Sequence, residues 1–338
     1  MGILRVTGSI DLGTFWPAGD SDADTTKILV NVEAGGFAFQ ATPKDPFVQT
    51  HAFDGAKVKG NGASPVLNTK GQVTIRLQGI DAPELHYYPA TLTGKGVTDA
   101  QRAAYKAIYK EYRQYIGETA TVALGTKMKA LGNSPIACTA ETQVNVPDDV
   151  FDTYGRFIGD IYVQHGSKRI NINNWLLQEG WAFPAFYNSM TADEIKEKIA
   201  VAKAGRKLKT RLWKYFSKKL EPFDPTLQYR KKGAAPNAAA DKGPVIFPKL
   251  FRRQTTWWAR NKTGVVKGDF SAYLSGTATA SDRFLFTKDF LADPVSARQN
   301  GWTAILSGQA ITANPEDLVF VEDTSKLFGP DGKPVTSW

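Results

Sequence analysis

The stretch VTIRLQGIDAPE, residues 73–84, alternates and then turns. Val73, Ile75 and Leu77 fall on one side and Arg76 on the other, the period of a strand with one buried face. Gly79 and Pro83 then break the pattern, so that Arg76, Asp81 and Glu84 are concentrated at a strand end and the tight turn after it. Such a turn can aim all three side chains into one cleft. Phosphoryl chemistry needs that mixture: oxygen ligands for a hard cation, a guanidinium for the phosphate and an acceptor for the proton of water. Taken alone, the same stretch also fits a strand that simply leaves a barrel.

Outward toward the N-terminus, Ile3 to Ser9 and TTKILVNV from Thr25 read as strands. Before the second lies DSDADT, residues 20–25, an acid-rich turn in which Asp24 stands where it could give a carboxylate oxygen to a hard cation. Toward the C-terminus, TDAQRAAYKAIYKEYRQYI (98–116) has helical spacing with Thr98 as N-cap. Thr119 to Leu124 reads as a strand. DTYGR, residues 152–156, is a turn that holds a second arginine, Arg156, next to Tyr154, and a strand follows it from Phe157 to Val163. NINNWLLQEGWAF from Asn171 and Ala192 to Trp213 read as helices. Strands first, with helices inserted and appended, indicate an α+β chain built on a small barrel. Segments 33–70 and 125–150 are long for connectors and flank Arg76 and Arg156 in sequence, where they could wall or gate a cleft.

In order and in wording, these motifs resemble the thermonuclease (staphylococcal nuclease) family from about residue 3 to about residue 217: RLQGIDAPE, then DTYGR, then a last helix ending in RLWKYF. The resemblance implies an OB-type five-stranded β-barrel with three helices and a Ca²⁺-dependent endonuclease acting on DNA or RNA. By motif position, Asp24 and Asp81 hold the calcium with the backbone carbonyl of Ala82 nearby. Arg76 and Arg156 grip the scissile phosphate, and Glu84 contacts the attacking water, as general base or as the group that positions it. The 5′-oxygen leaves, giving 3′-phosphate products, and Tyr154 lies beside the nucleotide. Ala82 stands where some relatives carry Thr, and Phe186 and Asn188 fall near positions where some relatives place tyrosines. A second class stays open: a non-catalytic SNase-like module that binds nucleic acid or protein.

The chain has 338 residues, 42 Lys and Arg against 33 Asp and Glu, and 42% hydrophobic residues, enough for one large core or two smaller ones. Its charge is uneven. Residues 203–232 carry eleven Lys or Arg and only Glu221 and Asp224 as acids, while residues 1–202 sum to −2 and residues 233–338 to +2. The basic stretch is a solvated helix face or a rail for phosphates, with Lys207, Lys209, Lys214 and Lys218 as candidate substrate contacts. One cysteine, Cys138, and three histidines leave no material for an intrachain disulfide or a cysteine-based metal site. No apolar run approaches a membrane span. The N-terminus has no signal-peptide pattern, which fits either an intracellular protein or a secreted one whose signal is gone.

KKGAAPNAAADKGP, residues 231–244, reads as a linker between a 1–230 nuclease body and a 245–338 C-terminal domain that resembles no family. The body contains every motif residue and is expected to fold and act without residues 233–338. In the C-terminal part, FPKLFRRQTTWWARNK (247–262) interleaves aromatics with Arg252, Arg253 and Arg260, as a base-stacking surface or a strand with core aromatics would. RFLFTKDF and DLVFVED alternate, so a small β-rich domain is expected, with no indicated partner.

Overall fold

The computed structural model describes residues 1–59, 63–323 and 325–338. β1 (Gly2–Ile10) alternates between buried and half-buried residues, with Leu4, Val6 and Ile10 fully enclosed. It pairs antiparallel with β2 (Thr25–Val30) at its far end and with β4 (Ile136–Val144) along its whole length. β2 pairs antiparallel with β3 (Gln72–Leu77), β3 pairs in parallel with β5 (Phe157–His165), and β5 returns antiparallel to β4. The five strands therefore close into a mixed barrel, the OB-type architecture expected from the sequence, whose interior is filled by side chains such as Ile28, Val73, Ile75 and Ile161.

Helix α1 (Asp99–Ile108) packs on a helix of the C-terminal region, while α2 (Gly117–Leu131) and α3 (Ile172–Gln178) pack on the barrel and α4 (Ala192–Lys207) packs on α3. Capping boxes start α1 at Thr98 with Gln101, and α4 at Thr191 with Glu194. Three sequence readings need correction. Residues 119–124 are not a strand but the first part of α2, because the buried set Ala120, Thr121, Leu124, Met128 and Leu131 recurs at helical spacing over a longer window. The missing barrel strand, β4, lies inside segment 125–150, which is thus an element of the fold more than a connector. The helix from Thr98 also ends early, at Ile108. Residues beyond it run beside the segment that follows Asp81, with Tyr112 and Tyr87 exchanging backbone hydrogen bonds at 2.8 and 3.0 Å.

The C-terminal region holds the expected strands, including β7 (Arg283–Phe286) and β8 (Leu318–Val321), but its longest element is a helix. α5 (Pro248–Lys262) replaces the strand read over 247–262, and RFLFTKDF turns helical at Thr287. Proline at the first helical position and buried Leu250, Phe251, Gln254, Thr255 and Ala259 give α5 one inward face. That face packs on the body: Trp258 meets Tyr112 edge to face at 5.5 Å and Phe223 at 4.8 Å. β8 pairs in parallel with β6 (Phe186–Tyr187) of the body and antiparallel with β7. One hydrophobic core runs without a break from Leu4 to Leu327. Within the linker-like stretch 231–244, Asp241 is fully buried, 2.6 Å from Arg113 and hydrogen-bonded to the backbone and hydroxyl of Thr119.

Of segment 33–70, residues 60–62 lie outside the described residues. Its strands Phe37–Gln40 and Val48–Gln49 extend the barrel sheet beyond β1, whereas Lys57–Lys59 pairs with Ala63–Pro65 and Lys326–Phe328 in a separate three-stranded sheet. None of these described residues lines the cleft that follows.

Candidate active site

β3 delivers Arg76 to the rim of the barrel, and the left-handed turn at Gly79 (φ +74°) swings the chain back so that Ile80–Asp81 pairs with Phe183–Pro184. β2 enters beside it, its register fixed by the Leu77 N–H bond to the Asp24 carbonyl at 2.9 Å. Arg76 consequently bridges two carboxylates. One guanidinium nitrogen pairs with Asp24 Oδ2, and the other donates to Asp81 Oδ1 at 2.6 Å. Asp24 Oδ2 also accepts the N–H of buried Ala82 at 2.8 Å. Glu84 is fixed by the extended segment after α1: its N–H donates to Gln114 Oε1 at 3.0 Å, and its carbonyl accepts from the Gln114 N–H at 2.8 Å.

Across the cleft, DTYGR is a turn organised by Asp152. Its Oδ1 accepts the N–H groups of Tyr154 (3.0 Å) and Arg156 (2.9 Å), and Gly155 takes φ +79°. Asp152 Oδ2 accepts from Arg156 Nε at 2.7 Å, and Thr25 Oγ1 lies 3.4 Å from Arg156 Nη1. The guanidinium is thus oriented at one edge. Tyr154 is 68% exposed at the rim, its ring 5.5 Å from the Arg156 guanidinium.

A cleft of about 600 Å³ lies between these elements. It gathers Asp24, Arg76, Glu84, Tyr154 and Arg156, all singled out from sequence, and Asp81 joins them through Arg76. It also gathers residues that the sequence did not assign to it, two of which, Arg252 and Arg253, read there as part of a candidate base-stacking surface. Asp22 lines it from the acidic turn. Tyr187 and Glu322 stand on the β6 and β8 side, and Lys249, Arg252 and Arg253 come from α5. Arg252 pairs with Glu84 Oε1 through Nη1 and lies 3.1 Å from Asp81 Oδ2 through Nη2. The signal for this wall was in the sequence, since 249, 252 and 253 are spaced i, i+3, i+4, but it appears only once 247–262 is read as a helix.

Burial and charge set the protonation of the cleft. Burial alone would raise Asp24, but the Arg76 guanidinium and the Ala82 N–H outweigh it and hold the carboxyl at about 2. Glu84 is pushed up to about 7 by burial, with Asp81 and Asp24 adding and Arg252 opposing. Asp22 is raised well above the usual carboxylate range by burial and by the neighbouring Asp24 and Glu84. Among the described residues, no three His, Cys, Asp or Glu side chains form a ready-made metal cage. The donors nevertheless fit a hard cation. Asp22 Oδ1 is buried without a hydrogen-bond partner among the described residues, beside the carboxylate of Asp24, and every candidate ligand is oxygen.

The four lysines of the basic stretch are not brought to the cleft. Lys207, Lys209 and Lys214 are exposed, and Lys218 Nζ donates to the Thr312 carbonyl at 2.8 Å. Three arginines of the same stretch serve the fold: Arg206 pairs with Glu316, Arg211 with Glu179 and Arg230 with Glu118. Among the described residues, no helix is long and apolar enough to cross a membrane.

Residues 74–215 match the model of the staphylococcal nuclease homologue family. An uncharacterized protein of Methanocaldococcus jannaschii is 26% identical over 177 residues, which cover 50% of this chain and 76% of that protein.

Proposed function

From a chain that carries a staphylococcal nuclease homologue domain over residues 74–215, we propose a calcium-dependent endonuclease that hydrolyses phosphodiester bonds of DNA or RNA. The observation that carries this reading is the convergence of two arginines, Arg76 and Arg156, with the carboxylates of Asp22, Asp24 and Glu84 on one cleft. Asp24, Asp81 and the Ala82 carbonyl are the proposed calcium ligands, with Asp22 beside them. A calcium ion held there would supply positive charge to the phosphate and favour deprotonation of the attacking water.

The chain's own groups do the rest. Arg76 and Arg156 offer planar forks that match phosphate oxygens as negative charge builds there. Tyr154 supplies a ring at the rim for the nucleotide. Glu84, half-buried and poised near neutrality, is suited to take a proton from water or to orient it. Water oxygen bonds to phosphorus, the bond from phosphorus to the 5′-oxygen breaks, and that oxygen takes up a proton. The products are a 3′-phosphate and a 5′-hydroxyl.

One observation favours a second reading, a non-catalytic SNase-like binding module: Arg252 already neutralises Asp81 and Glu84. Digestion of plasmid DNA and RNA with Ca²⁺ or EGTA, with wild type and Arg76→Ala, separates the two. Cleavage that needs Ca²⁺ and falls by about a hundredfold or more in the variant supports the enzyme. Undiminished cleavage in EGTA overturns the calcium site. Binding of nucleic acid without any cleavage points to the second reading.

A further inference from the structure

α5 reaches the cleft with three cations, and their partners differ. Arg253 is committed to the fold: it forks onto Asp282, whose Oδ2 also accepts the Trp302 indole N–H at 2.9 Å. Arg252 rests on Glu84 and Asp81. Lys249 is half-buried, and among the described residues no carboxylate stands within ion-pair distance of it. Its Nζ lies 4.3 Å from the ring centre of Phe320 and 5.7 Å from that of Tyr187. The rings offset part of the cost of desolvating this ammonium, and with no carboxylate at ion-pair distance among the described residues it keeps donors free for an anion entering the cleft.

We infer that Lys249 and Arg252 bind a backbone phosphate of the nucleic-acid strand, next to the one gripped by Arg76 and Arg156, so that the C-terminal region forms one wall of the substrate site. The inference rests on the nuclease reading and extends it to residues outside the matched domain, 74–215. Burial lowers the pKa of Lys249, with Glu322 and Asp282 opposing and Arg252 and Arg253 adding to the decrease; an incoming phosphate would offset that penalty further. Arg252 carries a bidentate-capable fork on the same helix face, one turn away from Lys249, and a cation taking Asp81 would compete for the oxygens that now hold it. The cleft volume lies within the range of about 300–1,000 Å³ typical of ligand sites, so more than the scissile group can be accommodated.

The test is calorimetric titration of the full chain with a four-residue thymidylate carrying cleavage-resistant phosphorothioate linkages, at fixed Ca²⁺ and at several salt concentrations. Lys249→Ala and Arg252→Ala are each expected to raise Kd by about tenfold. Each should also reduce the slope of log K against log salt by about 0.7. Lys262→Ala, at the exposed far end of α5, should leave both unchanged. Lys249 has no ion pair to break, so its variant keeps the test clear of misfolding. If the wild type binds and cleaves while both variants keep its Kd and salt slope, the phosphate assignment is overturned and the nuclease reading stands. If the wild type neither binds the oligonucleotide nor cleaves DNA or RNA, both fall together.

Discussion

Arg252 on α5 holds Glu84 Oε1 with one guanidinium nitrogen and lies 3.1 Å from Asp81 Oδ2 with the other, across 168 and 171 residues of chain. A side chain of the C-terminal region thereby neutralises two carboxylates of the barrel rim. Its removal leaves both next to Asp24 in a buried setting. In EGTA, Arg252→Ala should lower stability by roughly 1–3 kcal/mol, the cost of stripping a partner from a buried charged group. The Arg252 side chain is 26% exposed, which keeps the loss below that of a fully enclosed pair. Calcium should then stabilise the variant more than the wild type, because the ion no longer competes with a guanidinium. Urea unfolding with and without Ca²⁺ measures both terms, and equal midpoints for the two proteins in EGTA would refute the pairing.

Glu84→Gln should lower turnover far more than substrate affinity, since the amide keeps the shape and loses the proton acceptor. Arg156→Lys keeps the charge and loses the fork, and it also loses the Nε contact to Asp152 that orients the side chain. About a hundredfold loss in kcat is expected for each. Single-turnover rates at saturating DNA check this, and wild-type rates in either variant would remove that residue from the mechanism.

Cys138 has a different use. It is buried on β4, and burial pushes its thiol up to about 12. The native protein should therefore resist a disulfide reagent at pH 8 and react at a rate that follows global opening. Immediate modification of native protein would contradict the packing of β4 against β1.

Four of the five barrel strands were legible because they carry their own periodicity, and the site residues sit in short motifs at strand ends; β4 was not read as a strand. What escaped detection depended on distant partners. Residues 119–124 are too short a window to separate two turns of helix from a strand, and only Met128 and Leu131 reveal the longer period. Asp22 looks like any acid of a solvated turn until Asp24 and Glu84 close around it. Stretch 231–244 has the composition of a linker, yet Asp241 is 0% exposed and answers Arg113, a partner that no local pattern announces. Residues 233–338 similarly gave no sign that Phe247, Leu250 and Phe251 finish the core of the body.

That shared core argues against the expectation that a chain ending near Lys232 folds by itself, and the truncation is the test. Such a truncation uncovers Tyr112 and Phe223, leaves Arg113 without Asp241 and strips β6 of its partner β8. We expect lost cooperativity or a large drop in the urea midpoint. The single change Asp241→Ala should cost about 3–5 kcal/mol, as breaking a buried pair does. A truncated chain that unfolds cooperatively at the wild-type midpoint would restore the two-domain description.

The basic stretch 203–232 makes a separate prediction about long substrates. Its excess charge outweighs the slightly acidic body before it, so it is the natural source of long-range attraction for a polyanion. The structure keeps its lysines off the cleft, and Lys218 is tied to Thr312. Lys207, Lys209 and Lys214 are exposed and available to neighbouring phosphates. Each phosphate neutralised on duplex DNA adds about −0.9 to the slope of log K against log salt. Replacing the three with Gln should flatten that slope by up to about 2.7 and weaken binding of long duplex. Cleavage of a dinucleotide should be unaffected, since so short a substrate spans only the cleft. Fluorescence anisotropy with duplexes of increasing length, at stepped salt, separates the outcomes. A slope that stays at the wild-type value at every length would leave these lysines as an ordinary solvated helix end, and the attraction would then have to come from the cleft itself.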